Sequence, residues 1–138
     1  MYVLCFKYTG HRSLITEFGI NGDGIDKVTR SLHSSRIYVH CTPRSDEVTN
    51  ATAEWFFANG TRVGARPGST LREQQYTNGT TVLVIGFSST LSYCDGGFYT
   101  CVVNSTSGRS EKRTFHLRVG SKSQVYSATY AHHSHIYT

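Results

Sequence analysis

Four cysteines, seven histidines and four Asn-x-Thr sequons are the residues of this chain whose types and spacing bear on chemistry. The sequons stand at Asn50, Asn59, Asn78 and Asn104, all within one central stretch, and each is an acceptor pattern for N-glycosylation in a secreted chain. Asn59 and Asn78 each precede glycine, so both also read as plain turn residues that carry no glycan. Cysteines beside several sequons are expected of a chain that passes through an oxidising, glycosylating compartment, and an extracellular or cell-surface ectodomain is the expected location. The apolar run from Met1 to Phe6 breaks at Lys7, too short for a secretory core, and no run reaches the roughly 18 apolar residues of a membrane span. The expectation is an ectodomain piece without its flanks that does not itself insert into a membrane.

No nucleophile lies beside a base, no pair of carboxylates stands in a shared motif, and no Gly-rich phosphate loop occurs, so no catalytic residues, no metal site and no cofactor are expected. His40 and His116 belong to strands assigned to opposite sheets and point away from each other. His132, His133 and His135 sit in a polar, aromatic tail over 121–138 that is expected to be poorly ordered. The net charge of +5 would suit an acidic partner only if the basic residues clustered. In sequence they do not: Arg36, Arg44, Arg62, Arg66, Arg72, Arg109, Arg113 and Arg118 are spread singly, as solvated strand and loop positions are, and nucleic-acid binding is not expected.

The elements that must position these residues are strands. Ser35 to Cys41 alternates, with Ile37, Val39 and Cys41 on one face and Arg36, Tyr38 and His40 on the other. Ala51 to Phe57 places Ala53, Trp55 and Phe57 inward, and Asn59-Gly60 marks a hairpin whose return strand lies near Arg62-Val63. Asn78-Gly79 marks a second hairpin between the strands Leu71–Tyr76 and Thr80–Ile85. Gly97 to Val103 and Arg113 to Val119 complete the set, with Phe115, Leu117 and Val119 inward. Short strands at regular spacing between turn signals predict an all-β antiparallel sandwich over residues 25–120, preceded by an N-terminal extension, 1–24. Cys41 and Cys101 both fall on inward positions of their own strands, so they are expected to bridge the sheets. Closing that loop of about 60 residues is worth roughly 4 kcal/mol of unfolded-state entropy.

Cys41, Trp55 fourteen residues later, and Asp95-Gly96-Gly97-Phe98-Tyr99-Thr100-Cys101 together resemble the D-x-G-x-Y-x-C signature of the immunoglobulin superfamily. The resemblance implies a Greek-key sandwich of the I-set or V-set kind. It implies that Trp55 packs on the Cys41–Cys101 bond, that Tyr99 makes the tyrosine corner, that Asp95 and Gly97 hold the signature turn, and that Leu83 and Ile85 face inward. Two departures stand out: the stretch from Ile85 to Asp95 is longer than the family's usual connection, and Cys94 sits beside the signature Asp. Cys94 is expected at the pole opposite the loops that carry Asn50, Asn78 and Asn104. A bond to Cys5, an intermolecular bond and a partner beyond this chain all stand as alternatives.

Outward positions on the sheet of the third and last two strands include Phe56, Phe98 and Val102, where alternation predicts polar residues. That face is the expected contact for a protein ligand or a homophilic partner, with Glu54 and Arg118 as rim charges; cover by the N-terminal segment or by a neighbouring domain is the competing reading. The function expected from the resemblance is a non-enzymatic recognition module of a receptor or adhesion protein. A secreted soluble immunoglobulin-type binder is the alternative, and a metal-binding sandwich enzyme the distant one.

Overall fold

The computed structural model describes residues 12–65 and 69–120. Along the chain run β1 (Ile15–Ile20), β2 (Lys27–Ser31), β3 (Ile37–Pro43), β4 (Ala51–Phe57), β5 (Leu71–Gln75), β6 (Thr81–Ile85), a 3-10 turn (Tyr93–Asp95), β7 (Gly97–Ser105) and β8 (Ser110–Gly120). They form two four-stranded sheets, ordered β1-β3-β6-β5 and β2-β8-β7-β4. All pairings are antiparallel except one: β2 runs parallel to β8, so the second sheet is mixed and not purely antiparallel as expected.

The inner faces meet in the core that the alternation predicts. Val39, Cys41, Trp55, Leu83, Ile85, Cys101, Val103, Phe115 and Leu117 are buried in one cluster, and Val119 packs against it in part. Cys41 and Cys101 are bonded, with their Cα atoms 6.6 Å apart. Trp55 is the cross-strand partner of Cys101, which sets the indole beside the disulfide, and its Nε1 donates to the Thr81 carbonyl at 3.2 Å. Phe18 closes over the indole with ring centroids 5.7 Å apart.

The fold begins earlier than the expected residue 25. β1 pairs with β3 from Ile15 to Ile20, and the Glu111 carboxylate accepts from the Leu14 amide at 2.7 Å, so residues assigned to an extension belong to the sandwich. A register shift between Ile15 and Glu17 breaks the alternation that would have marked this strand in the sequence. The predicted return strand near Arg62-Val63 shrinks to a single bridge, Phe56 to Arg62, after which the chain leaves for the other sheet. Both Asn-Gly turns form, with Asn59 and Asn78 each accepting from the backbone amide two residues on, at 2.9 and 3.0 Å.

β6 is buried on both sides. Leu83 and Ile85 face the core, while Val82 and Val84 lie on the outer side between Tyr38 and His40 of β3 and Arg72 and Gln74 of β5. A central strand flanked by long side chains on both neighbours loses its outer face to them.

Candidate functional site

The outer face of the β2-β8-β7-β4 sheet is built of cross-strand rows. Phe98 lies opposite His116, and their rings stack with centroids 4.1 Å apart and planes within 12°. The next row is Phe56, Thr100 and Thr114, with the two threonine hydroxyls 3.1 Å apart. Glu54, Val102 and Lys112 follow, then Thr52, Asn104 and Ser110. Phe98 is 53% exposed, a high value for a phenylalanine, whereas Phe56 and Val102 are half-buried within their rows. The face therefore has an aromatic end at Phe98 and a polar end at Asn104. Of the expected rim charges, Arg118 is exposed, while Glu54 pairs with Arg62 at 2.8 Å.

The sequon asparagines Asn50, Asn59, Asn78 and Asn104 are all exposed. Asn104 is a strand residue whose cross-strand partner is Thr52, the hydroxyl position of the Asn50 sequon, so two sequons converge on the polar end. Asn59 belongs to the turn after β4, at the other end of that strand. Cys94 is exposed and unbonded among the described residues; Cys5 lies outside them. The segment that carries Cys94 packs at the pole of the β2–β3 turn, where the His33 amide donates to the Leu91 carbonyl and the Leu91 amide donates to the Ser34 carbonyl.

The signature residues are joined locally. The Tyr99 hydroxyl donates to the Asp95 carbonyl, and the buried Asp95 carboxylate accepts from Thr70 Oγ1 at 3.1 Å and the Ser92 amide at 2.8 Å. Burial, with the Asp95 carboxylate nearby, holds the Tyr99 phenol well above its ordinary range. Gly97 opens β7 immediately after this knot.

One buried charge was not singled out by sequence. Glu73, 6% exposed on the inner register of β5, accepts from the Trp55 amide (3.2 Å), the Gly64 amide (3.1 Å), Thr81 Oγ1 (3.1 Å) and two nitrogens of Arg62 (both 3.3 Å). This carboxylate holds the Arg62 guanidinium protonated above its ordinary range. The signal for it was alternation: Glu73 shares the face of Leu71, an inward position where a carboxylate needs a partner. The basic residues also depart from expectation. Arg36 and Arg72 are not spread singly: their guanidiniums approach the ring of Phe87 to 5.2 and 4.1 Å.

Among the described residues no group of three or more His, Cys, Asp or Glu side chains is placed to hold a metal. His40 and His116 occupy different sheets, His40 edge-on to Tyr76 and His116 on Phe98. His132, His133 and His135 lie outside the described residues.

By sequence, the chain matches no protein-family model and no curated protein. By structure it is similar to the Ig1 domain of mouse SynCAM 2, with a TM-score of 0.50 and 15% identity over 68% of this chain and 91% of that one. It is similar to DIP-gamma IG1+IG2, with a TM-score of 0.52 and 22% identity over 75% of this chain and 47% of that two-domain chain. The BTLA ectodomain aligns with a TM-score of 0.50 and 16% identity over 75% of this chain and 98% of that one. With the sheet order, the inter-sheet disulfide, the indole beside it and the Tyr99 corner, these likenesses show that the chain has the immunoglobulin-like sandwich fold.

Proposed function

We propose that the chain is a non-enzymatic, extracellular recognition module that binds a protein partner through the Phe98 end of its β2-β8-β7-β4 sheet. The observation that carries this reading is the exposed Phe98–His116 stack at one end of the face: an aromatic left half in water, held rigid by its cross-strand neighbour, is the kind of residue that anchors interfaces. Phe56 and Val102 extend the apolar strip, while Lys112 and Arg118 supply charges at its margin. Asn104 and the Asn50 sequon occupy the far end, so glycans attached there would confine the contact to the aromatic end and discourage binding by the loops at that pole.

The similarity of the fold to the BTLA ectodomain and to the Ig1 domain of SynCAM 2 supports an extracellular setting, and a self-contact on this face is the homophilic form of the same proposal. The test is a binding screen of the glycosylated protein against an array of purified cell-surface ectodomains that includes the chain itself. Phe98→Asp is expected to weaken binding to any captured ectodomain at least tenfold, and Phe56→Asp to act in the same direction. Unchanged binding by the Phe98→Asp protein would overturn the sheet-face reading.

A further inference from the structure

A second surface emerges at the edge of the sandwich, where β2 of one sheet meets the start of β3 in the other and the fold gathers basic residues. Arg30 of the edge strand β2 and Arg36, just before β3, line one cleft of about 380 Å³, with Asn21, Ser34, Ser35 and Tyr38. No acidic residue lines it. Arg36 also leans on Phe87, and Arg72 stacks on the same ring, with its Nε buried and without a hydrogen-bond partner among the described residues. No ion pair among the described residues engages Arg30, Arg36 or Arg72. Guanidiniums gathered without counter-charge repel one another, so the arrangement is stabilised by an anion and costs stability without one.

The walls of the cleft are preformed. The Ser34 amide and hydroxyl both donate to the Ser31 carbonyl, at 3.2 and 2.7 Å, the Leu91 amide ties the turn down at 2.8 Å, and the Asn21 amide donates to Tyr38 at 3.0 Å. A guanidinium fork matches the paired oxygens of a sulfate or carboxylate. Hydroxyls and a carboxamide around it match sugar hydroxyls. The cleft has the volume of an ordinary small-ligand site rather than the extended groove a nucleic-acid strand requires, and it lacks the exposed aromatic platforms on which bases stack. Its apolar members, Ile20 and Ile37, are buried, so it offers a peptide no hydrophobic anchor pocket.

We propose that this cleft binds an anionic saccharide, with Arg30 and Arg36 on its sulfate or carboxylate group and Ser34, Ser35, Tyr38 and Asn21 on its hydroxyls. The site is separate from the protein-contact face and does not depend on it. The test is calorimetric titration of the full chain with a heparin-derived tetrasaccharide, a sialylated trisaccharide, the neutral form of the latter, oligothymidylate and a polyglutamate peptide. One of the two acidic saccharides is expected to bind and the neutral sugar not to. Arg30→Gln and Arg36→Gln are each expected to lower that affinity about tenfold, the loss of one charge-assisted contact. Arg109→Gln, in the turn between β7 and β8 at the far end of β8, is expected to leave it unchanged, as is Phe98→Asp, so that this site and the sheet face stand or fall separately. The proposal is overturned if neither acidic saccharide binds, if Arg30→Gln and Arg36→Gln proteins with wild-type melting temperatures bind as the parent does, or if oligothymidylate or polyglutamate binds as tightly as the saccharides.

Discussion

Glu73 does work that the shape of the sandwich alone would leave undone. The chain abandons the β4 hairpin after one bridge and crosses to the other sheet, which strands the amides of Trp55 and Gly64; the Glu73 carboxylate takes both, and Arg62 and Thr81 complete its shell. Glu73→Ala is expected to cost about 3 kcal/mol, because it leaves buried donors and a guanidinium without their acceptor. Glu73→Gln, which keeps the shape but must turn an NH2 toward a donor, is expected to recover only part of that loss in urea unfolding. Tyr99 makes a prediction in pH. Its folded-state pKa is raised above the unfolded value of about 10, so its contribution is complete below that pH and is lost as pH rises further. Tyr99→Phe is expected to cost about 1 kcal/mol at neutral pH and to flatten the alkaline fall in stability. Tyr99 was legible in sequence because its motif is local. Glu73 was legible only as an anomaly, since its partners come from residues 8 to 18 positions away.

Strands with clean alternation were readable and strands at the edges were not. β3, β4, β7 and β8 follow the two-residue period, while the Asn59-Gly60 turn ends β4 and the Asn78-Gly79 turn joins β5 to β6. β1 carries a bulge, and β2 has a single apolar residue, Val28, among polar ones, so neither announces itself. What fixes the passage between them is Gly19. Its φ of +101° lies where only glycine rests easily, and a Cβ there would stand 2.6 Å from the backbone N and O of Ile25. Gly19→Ala is expected to destabilise the domain by about 3 kcal/mol or more, since the obstructing atoms are backbone and cannot step aside. Thermal unfolding of that variant beside Gly60→Ala, whose Cβ meets nothing, separates steric conflict from the cost of the positive φ alone.

Among the described residues, one covalent tie across 60 residues of chain holds the two sheets. Replacing both Cys41 and Cys101 with alanine is expected to lower unfolding free energy by about 4 kcal/mol, measured by denaturant titration, and peptide mapping of the oxidised protein is expected to return Cys41 joined to Cys101. The class of the fold, that pairing and the inward faces of the main strands were determined by sequence alone, because alternation and a seven-residue motif act within single strands and turns. Only the tertiary structure decided that β1 and β2 divide between opposite sheets, that Val82 and Val84 are buried on the outer side, and that Arg30 and Arg36 line one cleft while Arg72 meets Arg36 on Phe87. Those outcomes rest on register between strands and on which sheet an edge strand joins, and neither follows from any period along the chain.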